Sequence, residues 1–122
     1  MSKGEEHVVA ALATCQSMSA QAAALNGLDA NWASDMSERL STVSEMLQQV
    51  QGRFFLRSKL CLPFARRCST EAERLQGELA ALDSGDDAND QAVARALEAL
   101  GTLERAVRTL DERSEMKGMA IT

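Results

Sequence analysis

Apolar residues recur at alternating steps of four and three along most of this chain, and a single proline, Pro63, stands in their way. From Met36 the apolar positions are Leu40, Val43, Leu47, Val50 and Phe54. After one blurred turn the same steps resume at Cys61, Ala65, Cys68, Ala72, Leu75, Leu79 and Leu82. Such spacing lays one stripe along a helix, the seam of a coiled coil. A third run, Val93, Ala96, Leu100, Leu103, Val107 and Leu110, repeats the pattern, and Leu97 widens it. The chain must therefore be built from helices that bury narrow seams.

Composition agrees. Aromatic residues make up only 3% of the 122 residues, with three Phe, one Trp and no Tyr. Ala, Leu, Val and Met carry the apolar content and suit seams better than a broad core built on large rings. The spacing predicts a first helix over about 5–25, in which Val8, Leu12, Cys15, Met18, Ala22 and Leu25 share a face. Many of these are small enough to let a neighbour approach closely. Glu5 and Glu6 suit the positive end of its dipole, and Asn26-Gly27 supplies a stop. Trp32 pins the following corner, and Ser34 or Asn31 caps what comes next.

The central seams predict one long helix over about 34–82, kinked or broken near Pro63, where a ring removes a hydrogen bond and clashes with the preceding turn. Continuous, it would be about 70 Å long. The polar run from Asp83 to Asp90 reads as a loop over 83–89. A helix over about 90–116 follows, with Glu104 and Arg108 placed for an i,i+4 pair, and 117–122 reads as a frayed tail. The expected fold is a single all-α domain: an elongated antiparallel helical hairpin, or a three-helix coiled-coil-type bundle around a long central helix.

Charge is distributed unevenly. Residues 1–45 carry two basic and six acidic groups, and residues 71–122 carry six basic and twelve acidic. Between them, residues 46–70 carry Arg53, Arg57, Lys59, Arg66 and Arg67 and no acid. The same stretch holds Phe54, Phe55, Phe64, Leu56, Leu60 and Leu62, which would fall all round a helix, more than one seam can cover. A partner protein or a further helix of the same bundle must cover the remainder, and Phe54, Phe55, Leu56, Leu60 and Phe64, with Arg53, Arg57, Arg66 and Arg67, are the candidate contacts, since aromatic residues and arginine are enriched at interface hot spots. Leu40, Val43, Leu47, Val50, Leu75, Leu79, Val93, Leu100, Val107 and Leu110 are the candidate seam.

Catalysis finds no constellation. His7 is the only histidine, and no cysteine stands within metal-ligand spacing of it. Cys61 and Cys68 are seven residues apart, too far for a disulfide on one helix. A cysteine nucleophile needs a base, and only His7 is on offer. The carboxylates Glu71, Glu73, Glu78, Glu98, Glu104 and Glu112 read as solvated helix faces. The glycines form no phosphate loop, and the Asp83–Asp90 run lacks the calcium-loop pattern. No cofactor, metal or small-molecule substrate is expected.

An odd count of three cysteines suits a reducing compartment. No apolar run reaches the length of a membrane span, and Glu5 and Glu6 precede the Val8–Ala13 run, where a signal peptide wants positive charge. The expected setting is cytoplasmic or nuclear. The expected function is a non-catalytic subunit or adaptor of a larger helical assembly, as a homodimer or a hetero-complex. Contact of segment 53–67 with an anionic membrane or nucleic acid is the alternative; the acidic flanks disfavour the second.

Overall fold

A computed structural model describes residues 1–24, 30–84 and 90–115. They form four helices, α1 (Lys3–Ala23), α2 (Ala30–Gln51), α3 (Leu62–Ser84) and α4 (Asp90–Ser114), with a single 3-10 turn, Phe54–Arg57, between α2 and α3. No strand occurs among the described residues. The stop expected at Asn26-Gly27, most of the loop over 83–89 and the tail over 117–122 lie outside them. No helix among them is long and apolar enough to cross a membrane.

The helices stand in a square. α1 packs on α2 and on α3, and α4 packs on the same two, so α2 and α3 face each other across a diagonal. Cross-helix bonds fix the directions. Ser19 of α1 meets Ser37 and Ser41 of α2 at 3.2 Å, an antiparallel pair. Arg39 reaches Glu104 and Arg53 reaches Asp111, so α2 and α4 run parallel. Small residues let α1 and α2 approach closely here: Ser37 also donates to the Ser19 carbonyl at 3.2 Å. At its start α1 is closed by a capping box. Ser2 Oγ accepts from the Glu5 amide and Glu5 Oε1 accepts from the Ser2 amide, which satisfies two otherwise unpaired donors.

One core runs down the middle of the square. Met36, Leu40, Val43, Leu47 and Val50 of α2 meet Cys68, Ala72, Leu75 and Leu79 of α3 and Leu100, Leu103, Val107 and Leu110 of α4, all buried. α1 adds Val8, Ala11, Cys15, Met18 and Ala22. Val93 and Leu97 are partly buried against it. The seam residues therefore cover one another within a single chain. Ala96, Ala99 and Ala106 are buried as well, broadening the α4 stripe toward its neighbours.

The stretch expected as one long helix is two, and the break lies before Pro63. α2 ends at Gln51, where Gly52 offers the next turn a poor helix former. The chain then winds through short i,i+3 bonds: Leu56 N to Arg53 O, Ser58 N to Phe55 O, and Cys61 N to Ser58 O. Pro63 is the second residue of α3. In that first turn its missing N–H has no helical partner to lose, so the ring starts a helix instead of breaking one. The crossing carries the chain along the diagonal of the square, from the end of α2 to the start of α3.

Two contacts hold the crossing in place. Leu56 is fully buried at the foot of the core, a burial worth about 1.5–3 kcal/mol. Beneath it, α1 comes so close that a Cβ on Gly4 would stand 2.7 Å from the Leu56 carbonyl oxygen. Arg53 makes the second contact: Nη1 donates to the Asp111 carbonyl at 2.8 Å and to Ser114 Oγ at 2.9 Å, while Nη2 reaches Glu115. A cation thereby satisfies the last turn of α4, where the helix dipole favours it. The expected Glu104–Arg108 pair gives way to a two-pronged bond between Arg39 and Glu104. Two parallel N–H bonds on a half-buried carboxylate outweigh one exposed pair on the same helix.

Two substitutions test this. Gly4→Ala should lower stability in urea unfolding by about 1–3 kcal/mol, the cost of overpacking a backbone contact; unhindered, the same change would raise it by up to ~1 kcal/mol. Arg53→Ala should cost about 2 kcal/mol through lost charged hydrogen bonds, and Arg53→Lys should recover only part, because an ammonium cannot reproduce the fork.

Candidate interaction surface

The crossing segment decides which candidate contacts remain outside the fold. Leu56 is fully buried. Phe55 and Phe64 are partly buried and packed against the core. Arg53 is three-quarters covered and engaged by α4. Leu56 and Arg53 are engaged within the chain, and Phe55 and Phe64 are covered in part by other helices of the same bundle, one of the two ways left open for covering this segment. On one continuous helix the apolar residues would point all round; the 3-10 turn laid across the end of the bundle turns Leu56 inward instead.

Phe54 and Leu60 are different. They are 80% and 72% exposed, and with Met1 they are the exposed large hydrophobics among the described residues. Isolated apolar side chains on a surface need no explanation, but these two share one short crossing. Leu60 is held at the rim by its amide, which donates to Ser58 Oγ at 3.1 Å. The Arg57 guanidinium lies 5.7 Å from the Phe54 ring centroid, within range of a cation–π contact. Arg57 also stands 3.7 Å from Glu5, an exposed pair of little energy. Lys59, Arg66 and Arg67 are exposed and make no ion pair among the described residues. The bundle end thus presents two apolar side chains within a cluster of cations.

A groove opens beside this end, between α3 and α4. Pro63, Phe64 and Arg67 line one wall, and Thr102, Arg105, Ala106 and Thr109 line the other. Arg113 closes its foot, with its guanidinium 5.1 Å from the Phe64 ring centroid. Thr102, Arg105, Ala106 and Thr109 are not among the residues singled out from the sequence. A signal for them exists: Thr102, Arg105, Thr109 and Arg113 recur at helical spacing, with Glu98 and Glu112 beside them, while Glu104, Asp111 and Glu115 form a separate acidic stripe.

Cys15, Cys61 and Cys68 are free and buried. Burial pushes the Cys15 and Cys68 thiols up to about 12, and raises Cys61 too. A nucleophilic or metal-binding cysteine requires the opposite shift, toward thiolate at neutral pH. Among the described residues no group of three His, Cys, Asp or Glu is placed to hold a metal ion. Glu5 lies below its ordinary range because the Ser2 amide and hydroxyl bond its carboxylate, with Arg57 adding to this. That carboxylate helps to hold the first turn above the ordinary Glu range, and its help fades only as pH falls through the lowered value.

No family model, curated protein or solved structure matches this chain.

The thiols give a direct check on burial. At pH 8 the native chain should resist iodoacetamide, with all three cysteines unmodified by mass spectrometry, and urea should release all three. Modification of Cys15 or Cys68 in the native chain, at the rate of a free thiol, would contradict their place in the core.

Proposed function

We propose that this chain is a non-catalytic binding module, a subunit or adaptor that docks on an acidic surface of another protein through the crossing end of its bundle. Phe54 and Leu60 are the anchors, and Arg57, Lys59, Arg66 and Arg67 form a cationic rim. The observation that carries this reading is the exposure of Phe54 and Leu60 on one segment without a single acid of its own. Anchors ringed by charge are a common plan of protein interfaces: the apolar residues supply affinity, and the charges supply orientation and on-rate.

The burial of the seams narrows the way such a module would join a larger assembly. Leu40, Leu47, Leu75, Leu79, Leu100 and Leu110 already fill this chain's own core, so docking runs through the end of the bundle and not through a shared coiled coil. Three protonated, inaccessible thiols also speak for binding over nucleophilic or redox catalysis. A cytoplasmic or nuclear setting, where such thiols stay reduced, goes with the reading. Contact with an anionic membrane is the second reading, favoured by the same juxtaposition of an exposed ring and cations.

A photo-crosslinking phenylalanine analogue in place of Phe54 tests both. Capture of one protein through an acidic segment is expected, competed by the wild-type chain but not by a Phe54→Ser, Leu60→Ser variant that keeps its helical circular dichroism. Losing both anchors should weaken binding at least about tenfold, the effect of ~1.4 kcal/mol of lost burial. Equal competition by the variant would contradict the proposal. Sedimentation with anionic vesicles that depends on Phe54 would favour the membrane.

A further inference from the structure

The charges of α4 are sorted onto two flanks. On the flank toward α2, Glu104, Asp111 and Glu115 are each taken by an arginine, Arg39 or Arg53. On the flank toward α3, Arg95 pairs with Glu78 at 3.5 Å, whereas Arg67, Arg105 and Arg113 make no ion pair among the described residues. The nearest acid on α3, Glu71, is one turn above Arg67 and is engaged by Arg74 at 3.4 Å. Part of the α3–α4 cleft is thus neutralised, while Arg67 and Arg105, which line the groove, are left without an acid partner among the described residues. Two arginines lining one groove repel one another and gain from any anion placed between them.

The cleft has apolar surface as well as charge. Pro63, Phe64 and Ala106 contribute its apolar lining. The groove is open to solvent and has a volume of about 490 Å³. The hydroxyls do not offer protons to an anion: Thr102 Oγ1 donates to the Glu98 carbonyl at 3.1 Å and Thr109 Oγ1 to the Arg105 carbonyl at 2.9 Å. Arg105 Nη2 leans on Thr102 Oγ1 at 3.3 Å, which steadies the guanidinium and leaves its other donors open. Donation to a ligand must therefore come from Arg67 and Arg105, whose planar forks match the two oxygens of a carboxylate or phosphate.

We infer that the groove between α3 and α4 is a recognition site for an acidic peptide segment, whose carboxylate or phosphorylated side chain sits between Arg67 and Arg105 while neighbouring apolar side chains lie on Pro63 and the open part of Phe64. Charge complementarity selects the anion. The apolar lining selects a peptide over a bare ion, because a free anion leaves Pro63 and Phe64 wet. The inference stands on the groove and not on Phe54 and Leu60, so it goes beyond the end-docking proposal and survives or fails separately.

The test titrates the intact chain with a short synthetic peptide rich in Glu and Leu, with the same peptide carrying phosphoserine, and with inorganic phosphate. The readout is the Nε–Hε NMR signals of the arginines. The Arg67 and Arg105 signals are expected to shift together and saturate with at least one of the two peptides, and the stronger peptide identifies carboxylate or phosphate as the preferred group. Arg105→Glu should weaken that binding at least tenfold. Arg108→Glu, the same charge change on an α4 residue outside the groove, should change it less than twofold, and Phe54→Ser with Leu60→Ser should leave it unchanged. Equal losses for Arg105→Glu and Arg108→Glu would reduce the effect to net charge and overturn the assignment. So would phosphate binding as tightly as either peptide, or the absence of saturable shifts with all three probes.

Discussion

The burial of Leu56 beneath the crossing of the diagonal is the contact on which the rest of the structure depends. A chain of four helices whose second and third members stand diagonally must route one connection over the end of its own core. That connection leaves the core open unless it brings an apolar plug. Leu56 is the plug; Gly4 lets the backbone settle against α1, and Arg53 ties the crossing to the end of α4. With the end closed, the heptad stripes of α2, α3 and α4 cover one another within the chain.

The seams were legible because a helix period of apolar residues survives almost any packing. Every position of the run from Cys61 to Leu82 is buried, as the four-and-three spacing requires. The break between α2 and α3 was harder to see for a definite reason. Phe54 and Cys61 are seven residues apart, so the two seams keep one heptad phase across the gap and read as one helix. The tell is Arg57, which falls where that phase calls for an apolar residue and is exposed in the structure. Pro63 drew the expected break toward itself, although a proline is at home in the first turn of a helix. Tertiary choices were not legible at all. Nothing local says that Glu104 will meet Arg39 across the bundle and leave Arg108 alone.

The candidate site was legible as a segment and not as a surface. A basic, aromatic stretch without acid was plain in the sequence, but which of its side chains the fold would consume depended on the crossing. Leu56 and Arg53 went to closing the bundle, and Phe55 and Phe64 were covered in part; Phe54, Leu60 and the remaining cations stayed outside. The groove beside them is a property of two helices together, made by Arg67 on one and Arg105 on the other, so neither helix announces it alone. The crossing segment carries no acid of its own, and the proposed functions rest on its cations and on Arg67 and Arg105 in the groove.

The central claim is that one chain satisfies its own seams. Light scattering combined with small-angle X-ray scattering on the purified protein tests it most directly. A monomer with a radius of gyration of about 14 Å, as for a closed domain of this length, is the expected result. An elongated particle near 20 Å, as residues 34–82 would give in one helix of about 70 Å, or a dimer that falls apart only on unfolding, would contradict it.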